Sequence, residues 1–315
     1  MAYNYFDNLK LDIEEIKTKV LASGNKKRLR PIFPKISMVL NLVVYALKIS
    51  QEFTYSYLLT GWFKNFKFFW FEILNGRPVD IIDYQFLRLS YRAKFQSGGH
   101  FNESDSDDFL EAWNTDKNIY LLFGATWKYA KTAYLNFLAF YFQLPKKGKV
   151  LEYGCGIAPF TTGITKYFPS RKYDFEIMDI LQINFLYAIY NLSNLPNIRY
   201  RFLEPYNNLV TENGYSAIVC QTVLEHIPNP LAVVKSFYNG LEDGGILVFD
   251  YIKCEADGLD SKKSEEQRSE TLRFIKDNFS VIKGSIIPGK SVGLCVVKKE
   301  KAGEGLVPKE GVENK

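Results

Sequence analysis

Val150-Leu151-Glu152-Tyr153-Gly154-Cys155-Gly156-Ile157-Ala158-Pro159 decides the fold of this chain. Val150 and Leu151 suit a buried strand, and Gly154 and Gly156 permit a tight turn that brings the backbone close to a ligand. Pro159 suits the first turn of a helix, where its missing N–H needs no partner. The stretch therefore predicts a strand, a glycine turn and a helix, with a nucleotide-like ligand seated on the turn.

Charge at the turn selects among nucleotides. A dinucleotide fold lays a pyrophosphate on the helix N-terminus and completes G-x-G-x-x-G, whereas here Pro159 takes the third glycine position and Glu152 stands two residues before Gly154. A carboxylate there repels phosphate and attracts a cation, and S-adenosylmethionine carries an ammonium and a sulfonium. Glu-x-Gly-x-Gly running into a helix resembles motif I of the class I S-adenosylmethionine-dependent methyltransferases. A nicotinamide-dependent oxidoreductase would share the doubly wound sheet, but Glu152 and the absent third glycine argue against it.

The rest of the resemblance lies downstream in order. Tyr173–Ile180 reads as the second strand and Asp179 closes it, about 25 residues after the first glycine. A helix from Asn184 to Asn191 leads to a third strand, Ile198–Glu204. The fourth strand, Tyr215 onward, runs into Leu224-Glu225-His226-Ile227-Pro228-Asn229-Pro230, which is similar to the segment after strand four in many small-molecule methyltransferases. Leu241-Glu242-Asp243-Gly244-Gly245 then turns into a fifth strand ending at Phe249. A helix over Ser264–Asn278 and a hairpin of Phe279–Ile287 with Ser291–Lys299 complete the pattern.

The resemblance covers residues 147–300 and implies an α/β fold. Its sheet is the Rossmann-like, seven-stranded methyltransferase sheet, with helices on both faces and the last strand antiparallel to the others. It implies S-adenosylmethionine as cofactor and a cofactor-binding set of Glu152, Gly154, Gly156, Asp179, Ile180, Glu204 and Gln221. Asp179 is expected to meet the ribose hydroxyls, Ile180 the adenine and Glu204 its amino group. Gln221 closes strand four. No Asn/Asp-Pro-Pro-Tyr/Phe sequence follows that strand, so DNA is disfavoured as substrate, and no nucleic-acid partner is expected.

Methyl transfer from a sulfonium asks the protein chiefly to position the acceptor, exclude water and remove a proton where the acceptor is a hydroxyl. His226, an imidazole able to take a proton near neutral pH, is the candidate general base, with shaping of the loop as its alternative role. Some relatives bind a divalent ion through Glu-x-x-Glu-His at this place. Here Thr222 replaces the first glutamate, and no metal is expected.

With 315 residues, 47% hydrophobic and 24% charged, the chain is long enough for one domain plus a substantial addition. Cys155, Cys220, Cys254 and Cys295 stand far apart with no C-x-x-C pair, as expected of reduced thiols in a cytoplasmic protein. The net charge of +5 is uneven, because residues 1–100 hold 15 Lys+Arg against 8 Asp+Glu. That excess is too mild and interrupted for nucleic acid, and suits an anionic lipid surface or a phosphorylated substrate.

Residues 1–146 read as a mainly helical, aromatic-rich region that covers the substrate or faces a membrane. Phe6, Leu9, Ile13, Ile16 and Val20 recur at helical spacing over residues 3–22. The uncharged run from Ile36 to Leu47 is too short for a bilayer span, which needs about 20 residues. Residues 31–75, with Trp62-Phe63-Lys64-Asn65-Phe66-Lys67-Phe68-Phe69-Trp70-Phe71, fit either helices packing aromatics against the catalytic domain or a peripheral membrane patch. The chain loses apolar density from Gly76, Ser97–Asp108 reads as an acidic loop, and His100 within it is either solvated or catalytic. Helical patterning resumes at Phe109 and continues to Phe142. Trp113, Tyr120 and Phe123 on it are lid candidates or ordinary packing residues. The tail 301–315 has a disordered composition.

The expected function is methyl transfer from S-adenosylmethionine to a small-molecule acceptor, at oxygen rather than nitrogen, with a sugar or lipid-linked intermediate as the acceptor class. A non-catalytic membrane- or partner-binding protein that keeps the fold is the alternative.

Overall fold

The strand foreseen at Val150 exists and lies at the centre of a sheet. A computed structural model describes residues 11–23, 34–46, 61–97, 119–204, 207–253 and 260–300. Seven strands run β1 (Lys147–Tyr153), β2 (Lys172–Ile180), β3 (Ile198–Leu203), β4 (Tyr215–Cys220), β5 (Leu241–Tyr251), β6 (Phe279–Lys283) and β7 (Val292–Lys299). Their order is β3-β2-β1-β4-β5-β7-β6. The first five are parallel, and β7 runs antiparallel to both its neighbours. The order reverses between β1 and β4, and a doubly wound sheet opens its ligand crevice at the carboxyl ends of such strands.

Period-two alternation divides the core into two faces. Val150, Phe175, Ala217, Val219 and Val248 point to one side. Leu151, Met178, Ile218, Cys220, Leu247 and Phe249 point to the other. The second face is covered by α8 (Pro230–Gly240) and α9 (Lys262–Asn278) through Val233, Val234, Phe237, Leu272 and Ile275. The first is covered by α6 (Pro159–Tyr167) and α7 (Ile183–Leu192). Both faces thus carry helices, as a parallel sheet requires.

The N-terminal helices form a further layer over α6 and α7. They are α1 (Ile13–Ala22), α2 (Pro34–Ala46), α3 (Trp62–Phe68, prolonged by a π-helical turn at Phe69–Ile73), α4 (Ile81–Ser97) and α5 (Ile119–Lys131). Asp12 caps α1 by accepting the Glu15 N–H at 2.9 Å, and Ile16 and Val20 are buried. Trp62, Phe63, Phe66, Phe69 and Trp70 are buried too, with Phe66 against Tyr84, Phe123 and Tyr187 at centroid distances of 4.9, 5.3 and 6.4 Å. The aromatic run is therefore mostly core, the first of the two readings it allowed.

One expectation needs correction, and two readings become more definite. Residues 81–97 are helical although their apolar density is low. Among its described side chains, residues 81–93, the helix buries Tyr84, Leu87 and Tyr91 and leaves Ile82, Phe86 and Leu89 exposed on other faces, so no single apolar stripe marks that span. Asp80 starts it, its Oδ1 accepting the N–H groups of Ile82 and Asp83 at 2.8 Å. The helix expected to reach Phe142 stops at Lys131, where Ala133 and Tyr134 take left-handed φ values of 50° and 62° and short 3-10 turns follow. Phe123 is fully buried among Phe66, Trp70, Tyr84 and Tyr91, so it is a core residue and no lid.

Tyr120 is half-buried against the same cluster. His100, Trp113, the tail and residues 47–60 lie outside the described residues. Among the described residues, no helix is long and apolar enough to cross a membrane.

Candidate active site

Strand β1 ends at Tyr153, so the glycine turn leaves the sheet at the β1/β4 crevice. Gly154 and Gly156 both have left-handed backbones, with φ of 60° and 52°. A methyl group added to Gly154 would meet Val223 at 2.4 Å, whereas one added to Gly156 meets no atom within 4 Å. Gly154 is therefore required by packing against the loop after β4. Beyond Gly156 lies open space where a ligand can approach the backbone.

Asp179 stands at the end of β2 and turns back to this loop. Its Oδ2 accepts the Gly156 N–H at 2.6 Å, and its Oδ1 accepts the Ile180 N–H at 2.7 Å and Gln182 Nε2 at 2.8 Å. Oδ1 thereby has two donors, while Oδ2 keeps a lone pair for a hydroxyl. Gln182, buried and aimed at the carboxylate, was not foreseen; a side-chain amide three residues after a strand-ending aspartate was its only signal.

Glu152 has a structural task that the sequence did not announce. Oε1 accepts the Phe160 N–H at 3.1 Å and Oε2 the Thr161 N–H at 2.9 Å. The carboxylate thus occupies the N-terminus of α6, whose unpaired amides and dipole favour an anion. It fixes strand to helix beside the glycine turn.

The other foreseen residues line the same edge. Ile180 is half-buried and Glu204 exposed, the latter just beyond β3 and bridged to Asn207. Gln221 is half-buried directly after β4. Thr222 has φ 56° and its N–H donates to Asp250 on β5, a buried carboxylate. Asp250 ends an apolar strand just as Asp179 does, and that parallel was legible. Tyr129 on α5 reaches over this edge: burial, then the charges of Glu152 and Asp250, hold its phenol well above the usual range.

His226 sits in a short 3-10 turn, Leu224–His226, between two carboxylates. Nδ1 lies 3.6 Å from Asp260 Oδ1 and Nε2 3.9 Å from Glu225 Oε1. The start of α9 clamps this loop, since the Ser261 N–H donates to Glu225 O at 2.9 Å, Ser264 Oγ to Leu224 O at 2.8 Å and Gln267 Nε2 to Pro228 O at 2.9 Å. Burial raises Glu225 to about 8, and Asp250 and Asp260 add to the effect. Among the described residues, no group of three or more His, Cys, Asp or Glu side chains is arranged to hold a metal ion.

The buried carboxylates make ligand binding pH-dependent. Burial raises Glu152 to about 7 and Asp179 to about 6, against the lowering effect of their backbone hydrogen bonds. Each pKa is raised, so its contribution to stability is complete below the unfolded carboxylate range near 4 and is lost as pH climbs through 6 to 7. A cation or a hydroxyl donor prefers the ionised forms and drives protons off. Affinity for such a ligand is expected to tighten several-fold from pH 6 to 8. Calorimetry in two buffers of different ionisation enthalpy would show proton release, and a pH-independent Kd with no release would refute it.

A family model described as a methyltransferase domain matches residues 126–282. Malonyl-[acyl-carrier protein] O-methyltransferase 1 of Ilyobacter polytropus is 29% identical over 104 residues, a match spanning 33% of this chain and 38% of that protein. Among solved structures, the N-methyltransferase NodS of Bradyrhizobium japonicum with S-adenosyl-l-homocysteine aligns at 13% identity and a TM-score of 0.40, covering 67% of this chain and 99% of that one. The mitomycin 7-O-methyltransferase MmcR aligns at 10% identity and a TM-score of 0.44, covering 69% and 68%.

Proposed function

The chain belongs to the class I S-adenosylmethionine-dependent methyltransferases, and on that premise we propose that it methylates a hydroxyl oxygen of a small molecule, a sugar or a lipid-linked intermediate. The open space over Gly156 beside the spare acceptor of Asp179 carries this reading. The residues fit the cofactor: the Gly154–Gly156 backbone would lie against it, Asp179 would take a ribose hydroxyl, Ile180 and Glu204 would meet the adenine, and Gln221 would border it from β4. When bound, S-adenosylmethionine supplies an activated methyl group. His226 accepts the hydroxyl proton, and the side chains around the crevice keep water away. The relative matched in part is by name an O-methyltransferase, which agrees with oxygen as the attacked atom.

Calorimetric titration with S-adenosylmethionine tests the first step, with reduced nicotinamide cofactor for comparison. Saturable binding of the former alone is expected, and Asp179→Ala should weaken it about tenfold or more through the lost charge-assisted hydrogen bond. If a folded preparation does not bind S-adenosylmethionine, the catalytic reading gives way to a non-catalytic one.

The acceptor's class is supported by the outer surface of the N-terminal layer. Ile36, Val39, Leu40 and Val43 recur at helical spacing along α2 and are exposed, as are Phe68 and Phe71 and, on α4, Ile82, Phe86 and Leu89. These helices all lie over the α6/α7 face, in the third of the chain that carries the basic excess. An anionic lipid surface matches both the apolar stripes and the charge. The full chain should float with phosphatidylglycerol vesicles at low salt, less with phosphatidylcholine, and less again as Phe86→Ser/Leu89→Ser. Absence of lipid-dependent flotation at low salt would end this part of the proposal.

A further inference from the structure

A cavity of about 440 Å³ lies between α9 and the turn joining β6 to β7, away from the glycine loop. Leu272 and Ile286, both buried, contribute apolar lining. Four cations surround it, Lys253, Arg268, Arg273 and Lys276, against one carboxylate, Glu265. Four of these charges recur along α9 at positions 265, 268, 273 and 276, a spacing that brings them onto neighbouring rows of the helix.

The cations are not equivalent. Arg268 is buried, donates to Tyr251 O and to Lys290 O, and lies over the Tyr251 ring at 4.1 Å, so its guanidinium is a fixed part of the wall. Lys253 Nζ is 3.5 Å from Glu265, and its N–H is tied to Ser291 Oγ at 2.8 Å. Arg273 and Lys276 have no carboxylate within 4 Å among the described residues. Two uncompensated cations on one cavity attract an anion, and the apolar lining takes the body that carries it.

The place of the cavity connects it to the reaction. Lys253 follows the carboxyl end of β5, and β7 begins opposite that end, with Val292 paired to Tyr251. Since β5 is parallel to β4 and β4 to β1, this wall stands at the same sheet edge as the glycine turn. The cavity also borders α9, whose first turns clamp the His226 loop.

We propose that this cavity binds a phosphate or carboxylate group borne on an apolar body, and that the group belongs to the methyl acceptor. The second half of that statement rests on the methyltransferase reading above; the first does not. Phenyl phosphate, benzoate and phenol share one ring and differ in charge, so titrating each into the full chain by ligand-observed NMR separates phosphate, carboxylate and neutral binding. Phenyl phosphate or benzoate should saturate at least fivefold more tightly than phenol. Arg273→Gln/Lys276→Gln should lose at least fivefold of that affinity with its melting temperature and S-adenosylmethionine affinity unchanged. Lys146→Gln/Lys172→Gln, which removes equal charge from the opposite edge of the sheet, should lose none.

Equal binding of phenol, or equal losses in the two double variants, would overturn the site. If S-adenosylmethionine binds and no anion saturates, the cavity proposal falls and the methyltransferase reading stands. If an anion saturates and S-adenosylmethionine does not bind, the anion site stands and its link to an acceptor falls.

Discussion

Gly156→Ala is expected to fold and to bind S-adenosylmethionine about a hundredfold more weakly, a loss near 2.7 kcal/mol. Its backbone already has φ 52°, which costs an alanine about 1–2 kcal/mol. The added methyl meets nothing within 4 Å in the protein, so almost all the remaining damage must fall on the ligand. Gly154→Ala loses affinity by another route, because its methyl would collide with Val223 at 2.4 Å and displace the turn or the loop after β4. Val223→Ala should therefore restore part of the stability and affinity lost in Gly154→Ala and do nothing for Gly156→Ala. Thermal melts and calorimetry on the four proteins read both quantities. A Gly156→Ala protein that binds as the parent does would show that the space over that residue is not the cofactor's.

The catalytic domain was legible because its signals are local and agree with one another. Val150, Phe175, Val219 and Val248 sit in apolar runs bounded by turn residues, and a parallel sheet buried on both faces needs such runs. The last strand pairs antiparallel with β5 and β6, as the family pattern implied. The N-terminal layer was less legible because its helices bury aromatic residues against one another and also leave apolar side chains exposed. In α4, Tyr84 is fully buried and Phe86 is 67% exposed, so hydrophobicity alone cannot tell one from the other. The break at Ala133 and Tyr134 had no warning either, since neither residue type favours a left-handed backbone.

At the site, residue types were easier to read than their partners. Glu152, Gly154, Gly156 and Asp179 do converge on one edge, but the sequence could not say that both Glu152 oxygens would be taken by the first amides of α6. Gln182 follows β2, Asp250 lies on β5 and Asp260 precedes α9, so they reach this sheet edge from three separate stretches of chain. Long-range pairing of this kind is fixed by topology, and spacing within a single element does not record it. Tyr129 comes from the helix expected to lie over the pocket, while Phe123, two turns earlier, went to the core.

Removal of the His226 imidazole should lower kcat by about 10²–10⁴-fold, the range for loss of a positioned general base, with S-adenosylmethionine affinity unchanged. Asp260 is the positioning residue in this scheme. At 3.6 Å from Nδ1 it favours the tautomer whose proton points toward it, leaving Nε2 to accept. Glu225 faces Nε2 at 3.9 Å, and burial raises it to about 8, so it is largely protonated at neutral pH. Its charge is set in turn by Asp250, Asp260 and Arg268. The low-pH limb of the kcat profile therefore belongs to the cluster and not to the imidazole alone.

Asp260→Asn should lower kcat less than His226→Ala and move that limb toward lower pH, because an anion that favours the protonated imidazole is gone. A residue that only braces the loop would lower kcat without moving the limb, and Asp260→Glu would then be no better than Asp260→Asn. Once an acceptor is in hand, full turnover in His226→Ala would remove it as the base. The clamp of Ser261, Ser264 and Gln267 on the loop would then be the reason for its place beside α9.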